Sequence, residues 1–347
     1  MQKYLFSFLV LFLSCSKDEP TLQTKFSGII SLNTNLSASE PFSNYLAEYQ
    51  AAYNAGARGA QTAAPWGSLN PTGTTYDFAA LSNSFFGLAT LKNIGFDALF
   101  LNIPIIAIDK RSMPADIISL AFDDPTVKSR FRGLLDAIKD LLNDRVKYVA
   151  FGNEVDTYFA TRPSEWTAYR NLVEDARSYL KTLKPNIQVA VTTTFSGASA
   201  SVPAEVNALN STMDVVALTY YPISTNFIPR DPVTVKDDVA KMLLLANGKP
   251  IVMQEWGYPS SSVLTSSDKK QSDFISNSFT QLKEKGPSVF PFVSFFKYRD
   301  WNAAYVQMLT NQTAGQSFYE FMASLGLKKN DGTSKSAFQI IEVELKK

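Results

Sequence analysis

A chain of 347 residues holds either two small domains or one barrel of alternating strands and helices. With 45% hydrophobic residues, 19% charged residues and a formal net charge of +1, it has an ordinary globular composition and lacks the basic excess of a nucleic-acid binder. Histidine is absent and cysteine occurs once, which excludes a Ser-His-Asp triad, a Cys-His dyad, a histidine-ligated metal, a thiolate cluster and an internal disulfide. Acid–base chemistry near neutral pH then falls to carboxylates, Lys or Tyr with displaced pKa values. The 25 Phe and 15 Tyr either fill a core or line a cleft that stacks flat ligands such as sugar rings.

The chain opens "MQKYLFSFLVLFLSCSKDEP". Its apolar run, Tyr4 to Leu13, is too short to cross a bilayer as a helix and has the length of a signal-peptide core. Residues 1–14 are expected to be a signal peptide, 15–25 a tether, and 26–347 the folded barrel. The segment resembles a bacterial lipoprotein signal, with Cys15 where the lipid would be attached, although Phe12 stands where the usual motif prefers Leu. "SKDEP" resembles the acidic export tag of surface lipoproteins in Bacteroidetes-like bacteria. That resemblance implies a lipid anchor at the outer membrane of a Gram-negative cell as the only membrane contact; the alternative is an ordinary secretory signal with an unmodified cysteine.

From Phe26 onward, short apolar runs alternate with amphipathic stretches. The expected strands are "FSGIISLN", "ARGAQTAA", "FDALFLNIPI", "KYVAFGNE", "IQVAVTTT", "MDVVALTYYP", "KPIVMQEWG" and "VFPFVSFFKY". Helical patterns between them include "VKSRFRGLLDAIKDLLND", "SEWTAYRNLVEDARSYLKTL", "TVKDDVAKMLLLANG" and "SDKKQSDFISNSFTQLKEKG". Ser164, three residues before Thr167 and followed by Glu165, suits a helix start, and Gly248 suits a helix end. Eight such units predict an α/β fold, a single closed (β/α)8 barrel. No glycine-rich phosphate loop follows the first strand.

In such a barrel the site forms at the carboxyl ends of the strands. "KYVAFGNEVD" runs apolar and stops on Asn153-Glu154, and "IVMQEWGYP" closes on Glu255, 101 residues later. Strands four and seven approach each other across the mouth. Each glutamate alone is as readily a helix-cap partner or a surface ion-pair member. Together they form the two-carboxylate set sufficient for glycoside hydrolysis, which needs neither metal nor organic cofactor.

"GNE" and "QEWGYP" resemble the acid/base and nucleophile motifs of clan A glycoside hydrolases, the retaining superfamily on this barrel. "ALTYYP", "GSLNPTGTTYDFAALS" and "GLKKNDGTSKSAF" are similar to further segments of that clan, so the likeness spans most of the chain from about residue 26. It implies Glu154 as general acid/base, Glu255 as nucleophile, and Asn153 as the amide that binds the sugar 2-hydroxyl. One of Tyr220 and Tyr221, the second by preference, would touch Glu255, and Arg58 would support the nucleophile or be an ordinary surface arginine. The clan's frequent histidines near strands three, four and six are missing, and its strand-eight tryptophan has Phe296, Tyr298 or Trp301 as candidate substitutes. Trp66, Trp256, Tyr258 and Trp301 are either sugar platforms or core residues.

The expected partner is an oligo- or polysaccharide, without nucleic acid, bound by a monomer that uses no cofactor. Endo-β-1,4-galactanases share the "YYP" and closing segments, while mannan, glucan and xylan stay open. Two rival readings remain: a barrel that binds glycan without turnover, and a transglycosylase that passes the glycosyl unit to a sugar. Carboxylates at these strand ends are expected about 5 to 5.5 Å apart, the spacing of retaining enzymes.

Overall fold

The computed structural model of the chain describes residues 25–34, 40–69, 76, 78–310 and 315–347. The expected signal peptide, Cys15 and all but the last residue of the tether lie outside them. Among the described residues the chain builds eight parallel barrel strands, each followed by a helix. The strands are β1 (Ile29–Leu32), β2 (Gly59–Ala63), β3 (Ala98–Asn102), β4 (Val146–Ala150), β5, β6 (Val216–Tyr220), β7 (Ile251–Trp256) and β8 (Phe292–Phe295). The main helices are α1 (Phe42–Asn54), α2 (Phe78–Ile94), α3 (Pro125–Ile138), α4 (Trp166–Leu183), α5 (Pro203–Ser211), α6 (Val235–Ala246), α7 (Asp268–Lys285) and α8 (Ser336–Lys346).

Strand β5 is broken at Val191 into Gln188–Ala190 and Thr192–Thr194. Its first half pairs with β4 and its second with β6, so the ring closes through this one strand. On the other side β1 pairs with β8 from Ile29↔Phe292 to Leu32↔Phe295. Alternate residues face opposite sides of each strand. Ala98 and Phe100 accordingly point into the barrel with Ala150, Ala190, Ala217 and Phe292, while Leu99 and Leu101 join the layer between strands and helices. The Phe100 and Phe292 rings stack 6.0 Å apart in the barrel interior.

Local signals set most boundaries. Asp124 caps α3 by accepting from the Thr126 N–H at 2.7 Å, and the Ser267 hydroxyl caps α7 through the Lys270 N–H at 3.1 Å. Helix α6 ends on left-handed Asn247 and Gly248 (φ 82°), as its sequence suggests. The start of α4 differs from expectation. Pro163–Glu165 form a 3-10 turn, no side chain caps it, and the helix begins at Trp166. Glu165 is drawn away instead by Arg111 (2.7 Å) and the Tyr158 hydroxyl (2.8 Å).

Candidate active site

Glu154 does not sit on β4. That strand ends at Ala150, and four more residues carry the chain to Glu154, whose backbone is left-handed (φ 51°, ψ 43°) at the start of the short helix Val155–Phe159. Hydrogen bonds hold this extension from both sides. The Phe151 N–H donates to Ala190 (3.1 Å), the Asn153 N–H to Ile106 (2.9 Å), and the Asn153 carbonyl accepts from Ile108 (2.8 Å). Gly152 is required by close packing, because a Cβ there would lie 2.4 Å from the Tyr169 hydroxyl. Behind Glu154, Asp156 accepts from the Thr194 N–H (2.8 Å) and hydroxyl (2.6 Å), which ties the short helix to β5.

Glu255 lies on β7 at an irregularity. Met253 pairs with Leu218 of β6 and Glu255 with Thr219, so Gln254 is an extra residue bulged out of the ladder. Strict alternation would send Gln254 and Glu255 to opposite faces; with the bulge both face the same cavity. Thr219 then joins the two glutamates. It is the cross-strand neighbour of Glu255, and its hydroxyl donates to Glu154 Oε1 at 2.7 Å.

Further hydrogen bonds fix the pair. The Tyr221 hydroxyl donates to Glu255 Oε2 at 2.5 Å. Gln254 Nε2 donates to Asn153 Oδ1 at 2.5 Å, while Gln254 Oε1 accepts from the Thr192 hydroxyl (2.6 Å) and Asn102 Nδ2 (3.3 Å). With its oxygen taken by Gln254, Asn153 keeps its NH2 group for the cavity. Gly257 follows β7 where a Cβ would stand 2.5 Å from the Phe296 carbonyl and 2.6 Å from the Tyr221 ring. Only the bare backbone leaves Tyr221 in contact with Glu255.

The electrostatics separate the two carboxyls. Burial, then the negative charge of Glu255, pushes Glu154 up to about 8, and the Thr219 hydroxyl opposes this only in part. Burial also raises Glu255, but hydrogen bonds from Tyr221 and Gln254 favour its ionised form. Tyr221 is pushed well above the ordinary tyrosine value by burial and by Glu255, so it stays a donor. Of the two, Glu154 is the more disposed to carry a proton, because Tyr221 and Gln254 donate to Glu255 and favour its ionised form.

The cavity beside Glu255 has a volume of about 390 Å³. Asn33, Gln61, Thr62, Asn102, Asn153 and Gln254 supply its polar lining, with Tyr45 and Tyr49 of α1 and Phe296 after β8 as its aromatic wall. The structure brings some of the sequence-based candidates to this cavity and leaves others away from it. Arg58 precedes β2 at the amino-terminal rim, bonded to the Tyr53 and Ala57 carbonyls and stacked on the Tyr53 ring. Two strand residues, Gly59 and Ala60, lie between it and Gln61, and Arg58 is not among the described residues that line the cavity. Tyr220 points outward, its hydroxyl donating to Asp238 at 2.8 Å, so Tyr221 alone of the two meets Glu255.

Trp66, Trp256 and Tyr258 are core residues rather than sugar platforms, all fully buried. Trp66 packs edge-on against Phe131, Trp256 donates to the Ser278 hydroxyl, and Tyr258 stacks on Phe274 and donates to the Arg230 carbonyl. Trp301 is covered by a second apolar cluster with Phe296 and Phe321, and the Lys297 ammonium lies 3.7 Å from its ring centre. Tyr298 is buried against Phe338. Of the strand-eight candidates Phe296 reaches the cavity.

Asn33 and Asn102 close apolar runs of the sequence as Asn153 closes its own, so the same sequence signal points to them. Gln254 carries no such signal, since it is the bulge that turns it inward. Among the described residues no cluster of three or more acidic, histidine or cysteine side chains is placed to hold a metal ion.

No protein-family model matches the sequence, and no curated protein does. Solved structures match through the fold. An exo-β-1,4-mannosidase from Opitutaceae bacterium strain TAV5 superposes with a TM-score of 0.69 at 15% identity, over 92% of this chain and 59% of its own. A GH5_18 protein from Streptomyces cattleya, in complex with Manβ1-4GlcNAc, gives 0.66 at 16% identity over 92% and 80%. A β-glucuronidase from Bacteroides uniformis gives 0.61 at 14% over 92% and 34%. The chain thus spans less than two thirds of the mannosidase and about a third of the glucuronidase. The shared feature is the (β/α)8 barrel.

Proposed function

We propose that the protein is a retaining glycoside hydrolase acting on a β-linked glycan. The observation that carries this reading is the buried pair at the barrel mouth: Glu154, held by the Thr219 hydroxyl and pushed up to about 8, beside Glu255, held by the Tyr221 hydroxyl, whose donation favours the ionised form. In the first step Glu154 gives its proton to the glycosidic oxygen as that bond breaks, and Glu255 attacks the anomeric carbon to form a glycosyl ester. Glu154, now ionised, then takes a proton from water, whose oxygen displaces Glu255 and restores both groups. Asn153, with its oxygen turned to Gln254, offers its NH2 group to a sugar hydroxyl.

Similarity to the mannosidase and to the Manβ1-4GlcNAc complex supports β-mannosides as the first substrates to test, ahead of galactan. The decisive experiment follows aryl β-glycosides with ¹H NMR of the first-formed anomer. Retention is expected; Glu255→Ala should abolish turnover and regain part of it with azide, whereas Glu154→Ala should keep reacting only with good leaving groups. An inverted first product, or full activity in Glu255→Ala, would remove Glu255 from the mechanism. The proposal extends to anchoring through Cys15: Cys15→Ala should release the protein from the membrane pellet or leave it unprocessed, and an unlipidated mature protein lacking Cys15 refutes the anchor.

A further inference from the structure

Two acceptor oxygens in the cleft lack partners. Gln61 Oε1 on β2 and Asn102 Oδ1 on β3 are buried, belong to residues lining the cavity beside Glu255, and have no hydrogen-bond partner among the described residues. Asn102 is 5% exposed, and its NH2 group is committed to Gln254, which leaves the oxygen as its open function. Gln61 is held in place by its own carbonyl, which accepts from the Tyr49 hydroxyl at 2.5 Å. A buried acceptor without a donor is unfavourable, so this side of the cleft calls for a ligand that brings O–H groups.

The described lining of the same cleft carries no positive charge. None of those residues is Lys or Arg. The cation next in the chain to the lining residue Phe296 is Lys297, which is buried with its ammonium over Trp301. A carboxylated sugar placed here would meet acceptor oxygens and the ionised Glu255 with no counter-charge, a desolvated arrangement that disfavours binding strongly.

We propose that Gln61 and Asn102 form a hydroxyl-reading subsite that restricts the protein to uncharged sugar residues and shuts out uronic acids. This rests on the glycosidase reading above, and its test separates the two. The kcat/KM values of 4-nitrophenyl β-mannoside, β-glucoside, β-galactoside and β-glucuronide are compared, with calorimetric binding of neutral and uronate oligosaccharides to the wild-type protein in parallel. The best neutral substrate should exceed the glucuronide by about 100-fold or more, in keeping with loss of a required polar partner, and only neutral oligosaccharides should bind. Binding of neutral sugars alone, without turnover, would end the hydrolase reading and sustain this one; equal or better use of uronides would overturn it.

Gln61→Met, which keeps the shape and deletes the acceptor, should lower kcat/KM on the best neutral sugar about 10-fold. The Gln61→Met loss should vanish on the monodeoxy sugar that lacks the hydroxyl being read. An unchanged Gln61→Met variant, or an equal loss on every deoxy analogue, would remove Gln61 from the subsite.

Discussion

One proton decides what Glu154 and Glu255 can do, and its position follows from their neighbours. Glu154 is pushed up to about 8 by burial and by the charge of Glu255, so kcat/KM should fall as pH rises through about 8, while the acid limb should lie above the ordinary glutamate range because burial raises Glu255 as well. Stability follows the same proton. The folded protein keeps it on Glu154 where the unfolded chain has lost it, so this group's contribution declines as pH rises from about 4.5 to about 8. Glu154→Gln abolishes that decline, and the Tm advantage of the variant over wild type should grow between pH 5 and pH 8. Calorimetric scans across that range check it. Gln254 supports the pair without titrating. Gln254→Leu leaves Asn102, Thr192 and Asn153 without their shared partner and should lower kcat/KM by about 10- to 100-fold with a lower Tm, since each stranded buried group costs about 1–3 kcal/mol. An unaltered kcat/KM in Gln254→Leu would show that Asn153 holds its orientation unaided.

Elements position these residues through two departures from regularity, the left-handed turn at Glu154 and the bulge at Gln254. Gly257 shows how closely the second is packed. Gly257→Ala must displace the Tyr221 ring or the Phe296 carbonyl, and a catalytic group moved by about 1 Å loses up to about 10²-fold in rate. The expected result is a fall in kcat larger than any rise in KM, measured by steady-state kinetics, with the circular dichroism spectrum retained. These irregularities also mark the limit of what the sequence discloses. The eight strands are legible because a strand buried on both faces is an unbroken apolar run, and polar residues closing such runs point to Asn153, Glu154 and Glu255. Strand ends are less so: nothing in "AFGNE" distinguishes a strand reaching Glu154 from one that stops at Ala150 and continues through backbone bonds to its neighbours. Aromatic residues are ambiguous for a physical reason, because Trp256 and Phe296 offer the same apolar surface to a helix or to a sugar. The bulge decides the facing of Gln254, and it arises from pairing with β6 and β8, which the local sequence does not carry.

Across the molecule, the carboxyl-terminal segment locks the barrel from outside. Lys335, just before α8, is 4% exposed and pairs with Asp300 beyond β8 at 2.8 Å, while its ammonium also donates to the Ser324 carbonyl. Lys335→Met strands a buried carboxylate and should cost about 3–5 kcal/mol in urea unfolding, whereas adding Asp300→Leu should restore much of it. A double variant no more stable than the single one would place the cost in packing rather than charge. The pairing of β1 with β8 has a consequence of another kind. Leu32 and Phe295 are partners in one ladder although 263 residues separate them. While a ribosome is making this chain, β1 has no partner on that side until almost the whole polypeptide has emerged, and β7 waits for the same strand. The nascent chain therefore carries the open, apolar edge of β1 for most of its synthesis, the state in which unfinished barrels bind chaperones or one another.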